Sequence, residues 1–335
     1  MDSLPIIFTH YGNSEYLKYT LQQAKISNPQ KECILIGDST NEGIAIECGW
    51  KHIRFRALLS SRRDEFNSYF CWVQGSIHNP VKGGKDWLRY VFERFFILEV
   101  FLAQQKIDCF WHFDTDTMII GNLQDYEIDL INSPVLCTTL CNGTCPSGFI
   151  RQEFIQMFCS RIINDFKDQN FLDSQQHEFD TLNPHFAFTE MRSFEYFAQN
   201  FKSNKIPQLS DFFISKNVWF DDCICQSHDF EVCRVPLLGF KKIKNLYSSP
   251  EGVFCLNQEL NKPFKFVTVN CSWVPLEVFA WIADSTNERE RESRSRYLKH
   301  YLYFGILRIS ELKHFLSTLL IYFAKVIIKL AKKIK

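Results

Sequence analysis

The chain has 335 residues, 46% of them hydrophobic and 23% charged, which excludes a disordered protein and leaves room for one large domain or two small ones. Lys plus Arg, 38, equals Asp plus Glu, 38, so net charge gives no footprint of a nucleic-acid partner and none is expected. The 33 phenylalanines point to an aromatic-rich core, and the 13 cysteines, odd in number and without a regular framework, point to free thiols in a reducing compartment.

Taken in chain order, LPIIFTHYG reads as a short buried strand running into a polar loop. Ser14 to Ser27 reads as an amphipathic helix capped by Ser14 or Asn13, and ECILIGDS as a second buried strand ending in a turn. WKHIRFRAL is a candidate third strand. Continuous rather than alternating apolar runs in a strand–helix–strand order predict a parallel sheet covered on both faces. From Ser60 to Lys85 the pattern is mixed and predicts a loop or a small inserted helix. WLRYVFERFFILEVFLAQQ has apolar residues on every turn and no breaker, which predicts a long, largely buried helix.

IDCFWHFDTDTMII then predicts a strand, a loop holding Asp114 and Asp116, and a second short strand. SPVLCTTL is a further strand candidate, CNGTCPSG a loop, and FIRQEFIQMFCSRIINDFKDQ a helix that SGFI (Ser147 to Ile150) opens. IPQLSDFFISKNVWFDDCICQS holds strands and turns, and KPFKFVTVNCSWV is a late strand. NERERESRSR, Asn287 to Arg296, separates this globular part, 1–286, from a basic, hydrophobic tail, 287–335.

Two carboxylates two residues apart, just past a buried strand, can converge on one hard dication such as Mg²⁺ or Mn²⁺. In an open α/β sheet, ligands bind outside the carboxyl ends of the strands. With 18 Asp in the chain, the triplet alone carries little, and its placement carries the reading. No P-loop, dinucleotide fingerprint, HExxH or GxSxG motif occurs, and neither Cys137, Cys141 and Cys145 nor Cys223 and Cys225 has zinc spacing.

ERFFILEVFLAQQKIDCFWHFDTDTMIIGNL, together with the opening PIIFTHYGNSEYLKYTLQQAKISNPQKECILIGD, resembles the nucleotide-sugar glycosyltransferases of the GT-A fold, most closely families eight and thirty-two. The likeness runs over residues 4 to 125 and is diffuse beyond them. It implies an α/β fold with a GT-A-like, mostly parallel sheet flanked by helices. It also implies a metal-dependent transferase acting on a nucleotide-sugar donor, UDP-sugar first among them, and a glycan or lipid-linked acceptor. Asp114 and Asp116 match the aspartates that hold Mn²⁺ or Mg²⁺. Thr9, His10 and Tyr11 sit where the first loop touches nucleobase and ribose, Asp38 where an acid contacts the base, and Arg89 where a basic residue contacts the donor. Gly148 matches a small-residue segment near sugar or acceptor.

The pattern departs at one point. Some relatives carry a late-strand His as a further metal ligand, whereas FKFVTVNCSW offers Asn270. The third ligand is then Asn270 or a water, or the correspondence lies elsewhere. Asp221 and Asp222 follow the strand-like VWF, where Asp222 would suit a base that deprotonates an acceptor hydroxyl. A non-catalytic protein that keeps the fold and binds a glycan is the alternative.

In the tail, Lys325, Lys329, Lys332 and Lys333 share a helical face opposite an apolar one, predicting an amphipathic helix on an anionic membrane surface. With no basic or apolar leader in MDSLPIIFTHYGNSEYL, the expected location is cytoplasmic, peripheral on the inner face of a membrane.

Overall fold

The computed structural model describes residues 3–78, 84–234 and 242–287. In chain order the elements of the first part are β1 (Ile6–Thr9), α1 (Leu17–Ser27), β2 (Cys33–Gly37), α2 (Glu42–Glu47), β3 (Lys51–Arg54), α3 (Ser61–Tyr69), α4 (Gly84–Gln105), β4 (Cys109–His112), β5 (Thr117–Ile119) and α5 (Gln124–Ile131). They continue with β6 (Cys137–Leu140), β7 (Cys145–Arg151), α6 (Gln152–Lys167), α7 (Gln169–Thr181), α8 (Glu190–Ala198), α9 (Leu209–Phe213) and β8 (Val218–Phe220). The rest comprises β9 (Val232–Arg234), β10 (Lys242–Lys244), β11 (Tyr247–Ser249), β12 (Gly252–Asn257), β13 (Lys262–Asn270) and α10 (Leu276–Asn287).

The chain divides into two compact units, the first being Met1–Asp222 with Val267–Asn270, the second Cys223–Phe266 with the chain from Cys271 onward. In the first, six strands line up as β3-β2-β1-β4-β7-β6. The pairs β2–β3, β1–β2 and β1–β4 are parallel, and β7 runs antiparallel to both neighbours. A mostly parallel α/β sheet flanked by helices is therefore present, as the continuous apolar runs predict.

Both faces are covered because successive side chains point to opposite sides. Ile7, Ile34 and Ile36 meet α3, α4, α6, α7 and α8, while Ile6, Phe8 and Leu35 meet α1, α2, α5 and α9. The first of these layers is the aromatic-rich core: Phe95 and Phe158 pack edge-on at 4.8 Å, Phe154, Phe194 and Phe197 pack on Phe158, and Phe66, Phe92, Phe166 and Phe188 form a second group of rings. Such edge-to-face pairs suit the ring quadrupole.

Several expectations shift. Helix α1 begins at Leu17, with Tyr16 at its cap and no side-chain cap, because Ser14 instead closes a turn through its carbonyl and the Leu17 N–H, 3.0 Å apart. The mixed segment after Ser60 does contain a small helix, α3, one of the two expected forms, and the Ser60 side chain caps its first turn. SGFI does not open a helix: Ser147 to Ile150 lie inside β7, where His112 faces Gly148, and α6 starts only at Gln152. The apolar pair Phe149–Ile150 continues the helical periodicity of α6, yet the two rows it supplies are opposite faces of a buried strand. All thirteen cysteines are free thiols, as their spacing suggests.

The second unit contains the antiparallel pairs β9–β10, β11–β12 and β12 with the first half of β13. Among the described residues, no helix is long and apolar enough to cross a membrane. The segment Asn287 to Arg296 and the predicted tail helix lie outside the described residues, save Asn287 at the end of α10.

Candidate functional site

Strands β1, β2 and β4 are parallel neighbours, so the loops that follow them share one edge of the sheet. The first loop is His10 to Tyr16, the second Asp38 to Asn41, and the third Phe113 to Asp116. This edge assembles most of the predicted site residues.

Asp114 and Asp116 flank Thr115, which is 6% exposed. The Thr115 hydroxyl lies 2.8 Å from His10 Nδ1, so the middle of the Asp-Thr-Asp loop is pinned to the loop after β1. Burial drives the pKa of His10 down to about 4, against the pull of Asp38, so its ring is neutral at physiological pH.

The Asp114 carboxylate, with 43% of its side chain exposed, accepts a hydrogen bond of 2.6 Å from Arg94 Nη1. Burial alone would raise Asp114, but the charge and hydrogen bond of Arg94 prevail and hold it below its ordinary value. The other Arg94 nitrogen donates to Glu190 Oε1 at 2.7 Å, and both side chains are almost fully buried. Burial pushes Glu190 up to about 7 despite Arg94. Cys145 Sγ lies 3.8 Å from Asp114 Oδ2, and burial keeps its thiol protonated. A guanidinium between two carboxylates is a fixed, fork-shaped charge that cannot leave by deprotonation.

Arg94, Glu190 and Cys145 are absent from the residues predicted from sequence. Arg89 was the basic residue expected on this helix, yet five residues at 100° each place it about 140° around the axis from Arg94. Arg89 instead pairs with Asp86 at 3.2 Å and approaches Glu93 at 3.8 Å. It lines a cleft of about 320 Å³ with Tyr11, Phe55, Arg56, Arg63 and Tyr90. Tyr11 and Tyr90 rings lie 5.3 Å apart, and Phe55 stacks on Tyr11 at 6.4 Å. Tyr11 is 41% exposed, whereas Thr9 is buried at the end of β1 opposite Ile36.

Asp38 fastens its surroundings. Its Oδ2 accepts from the Gly12 N–H at 2.7 Å and its Oδ1 from the Thr40 N–H at 2.7 Å. Burial works to raise its pKa, but the bonds from Thr40 and Gly12 outweigh it and the net shift is downward.

The structure places Asn270 on the strand that pairs with β5, the strand after the Asp-Thr-Asp loop. Asn270 lies directly opposite Thr117 in the antiparallel β5–β13 pairing, and its Nδ2 is 3.4 Å from Thr117 Oγ1. Among the described residues, no group of three His, Cys, Asp or Glu side chains stands ready for a metal ion. The oxygens of Asp114, Asp116 and Asn270 are hard donors and fit Mg²⁺ or Mn²⁺, which take water and phosphate oxygens for their remaining positions. Asp114 and Asp116 would hold such an ion, with Asp114 shared between it and Arg94.

Asp222, at the end of β8, is 1% exposed. Its Oδ2 accepts from the Asn142 N–H at 3.0 Å and from Gln208 Nε2 at 3.2 Å, tying β8 to the β6–β7 turn. Gly148 has φ of +94°, and a Cβ there would lie 2.5 Å from Thr138 Oγ1 and from Leu209, so only glycine fits.

No family model and no curated protein matches the chain. Among solved structures it is similar to apo mouse xyloside xylosyltransferase 1, at 10% identity and a TM-score of 0.39, over 62% of this chain and 85% of that one. A cytidylyltransferase from Leptospira borgpetersenii serovar Hardjo-bovis is 13% identical with a TM-score of 0.29, over 64% of this chain and 94% of the other. The PaToxG glycosyltransferase is 11% identical with a TM-score of 0.34, over 64% of this chain and 74% of its own.

Proposed function

We propose that the chain is a glycosyltransferase that moves a sugar from a nucleotide-sugar donor, a UDP-sugar first among them, to a glycan or lipid-linked acceptor. The observation that carries this reading is the Asp-Thr-Asp loop at the carboxyl edge of parallel strands, bound through Thr115 to His10 and through Asp114 to Arg94. The arrangement sets acceptor oxygens at the strand ends, suited to a metal ion that would carry a sugar diphosphate, and fixes Asp114 with a permanent cation.

In this reading each group has a task. The Tyr11–Tyr90–Phe55 cleft takes the nucleoside, whose flat base suits aromatic walls. Asp114 keeps a partly exposed carboxylate for the donor, and Arg94, itself held by Glu190, fixes its orientation. A Mg²⁺ or Mn²⁺ ion on Asp114 and Asp116, with Asn270 or a water as a further ligand, would neutralise the diphosphate and stabilise it as a leaving group. Asp222 stands as the proposed base for the acceptor hydroxyl, and the Lys-rich tail as an anchor on an anionic membrane, with the protein on the cytoplasmic side.

The test is nucleotide-sugar turnover. Release of free nucleoside diphosphate from the donor should need Mn²⁺ or Mg²⁺ and collapse in Asp114→Ala and Asp116→Ala. Full activity in both variants refutes the metal assignment. Calorimetry with UDP and Mn²⁺ separates the enzyme from a non-catalytic protein of the same fold: absence of binding heat selects the latter. For the tail, deletion of residues 297–335 should release the protein from anionic liposomes, and persistent binding refutes the anchor.

A further inference from the structure

We infer that Asn41 is a positioning residue for the Asp-Thr-Asp loop, acting through His10. The inference rests on the donor-site reading above, but its geometry stands by itself. Asn41 is fully buried at the start of α2. Its Nδ2 donates to two main-chain carbonyls of the loop after β1, His10 at 3.2 Å and Gly12 at 2.8 Å. Its Oδ1 lies 2.8 Å from His52 Nε2 on β3. Both amide hydrogens are spent on carbonyls, so Oδ1 must accept, and the His52 proton is assigned to Nε2.

The space for this carboxamide is prepared. A Cβ on Gly37 would fall 2.1 Å from Asn41 Oδ1, so the last residue of β2 is glycine where the amide crosses it. Gly12 adopts a left-handed φ of +78°, and its N–H is held by Asp38. The loop is thus tied at two carbonyls by Asn41 and at one N–H by Asp38. His10, whose carbonyl is one of these anchors, reaches across with its ring to Thr115, the residue between the two aspartates. The chain of bonds runs His52, Asn41, His10, Thr115, and every link is within 3.2 Å.

Asp at position 41 is nearly isosteric but reverses the polarity that the two carbonyls need. It has no hydrogens for His10 and Gly12, while it keeps an acceptor for His52. Loss of the anchor therefore loosens His10 and, through its ring, Thr115, without removing any group that touches the donor.

The experiment uses the full chain. Hydrogen exchange is followed by mass spectrometry on peptides spanning residues 9–13 and 113–118, and Mn²⁺ is titrated in the presence of UDP. Asn41→Asp and Asn41→Ala should speed exchange in both peptides and weaken apparent Mn²⁺ affinity, by less than the roughly 10-fold that follows loss of a group bonded directly to a metal ligand. His52→Gln, which keeps a donor for Oδ1, should stay close to wild type in both measurements. Ile162→Val, in the α6 core, serves as a control for general destabilisation and should leave the two peptides unchanged. Should Asn41→Asp fail to fold, His52→Phe is read on the same peptides, with acceleration in 113–118 expected. Unchanged exchange at 113–118 in the folded variants overturns the inference. If wild type binds no UDP with Mn²⁺, the donor-site reading falls, while the exchange data still decide the role of Asn41.

Discussion

Arg94 Nη1 lies 2.6 Å from Asp114 Oδ1, joining the middle of α4 to the loop after β4. A lysine could reach one carboxylate but not span Asp114 and Glu190 together. Arg94→Lys should therefore lower kcat/KM about 100-fold with the fold retained, checked by initial rates and circular dichroism. Arg94→Ala leaves a buried carboxylate uncompensated and should destabilise by about 3–5 kcal/mol in urea unfolding.

Asn270 faces Thr117 across the strand pair, one residue past Asp116. An imidazole there would bring a stronger ligand to the same place. Asn270→His should tighten Mn²⁺ binding about 10-fold in calorimetric titration. Affinity unchanged or weakened would remove this position from the metal's surroundings.

The cleft residues should not contribute equally. Tyr11 offers an exposed ring to a base, and its removal should weaken UDP binding by about 1–3 kcal/mol, read by calorimetry. Arg89 already shares its charge with Asp86 and Glu93. Arg89→Ala should cost less than Tyr11→Ala, and the reverse order would show that the base avoids the aromatic wall.

Asp165 on α6 gives a pH signature of stability. Burial raises its pKa to about 6, above the unfolded 3.8, although Ser193 and Arg161 favour the charged form. The folded state then holds the extra proton, so this contribution is intact below pH 4 and is lost as pH rises to 6, by up to about 3 kcal/mol. Asp165→Asn does not titrate and should gain stability relative to wild type across that window. His10, depressed from 6.5 to about 4 by burial, acts in the opposite sense and weakens the fold as pH falls. Unfolding curves of variant and wild type, compared at each pH, separate the two.

The sheet was readable in the sequence because buried parallel strands need unbroken apolar runs: IIFT, CILIG and CFWH are all there. The loop with Asp114 and Asp116 was readable because a polar triplet interrupts such a run. Arg94 was not, since its significance depends on the rotation of α4 about its own axis, which spacing to a distant loop does not reveal. Glu190 was hidden for another reason. It lies far along the chain at the start of α8, and only the packing of that helix against α6 and β7 brings it to the guanidinium. β7 was misread as loop and helix start because Phe149 and Ile150 satisfy both periods. The network of Asn41 and His52 left no trace in any motif, as hydrogen bonds between backbone and amide follow from folding alone.

The first unit leaves its own chain at Asp222 and takes it up again at Val267–Asn270, part of the strand that pairs with Thr117–Ile119 just past the two aspartates. A nascent polypeptide therefore displays both aspartates on the ribosome long before the strand that completes their surroundings has been made. Any product cut short ahead of Asn270 would keep the Asp-Thr-Asp signature and lack its neighbour. Completion of the first unit thereby waits for synthesis past Asn270, and a split between residues 222 and 267 would separate the Asp-Thr-Asp loop from the strand segment that pairs with β5.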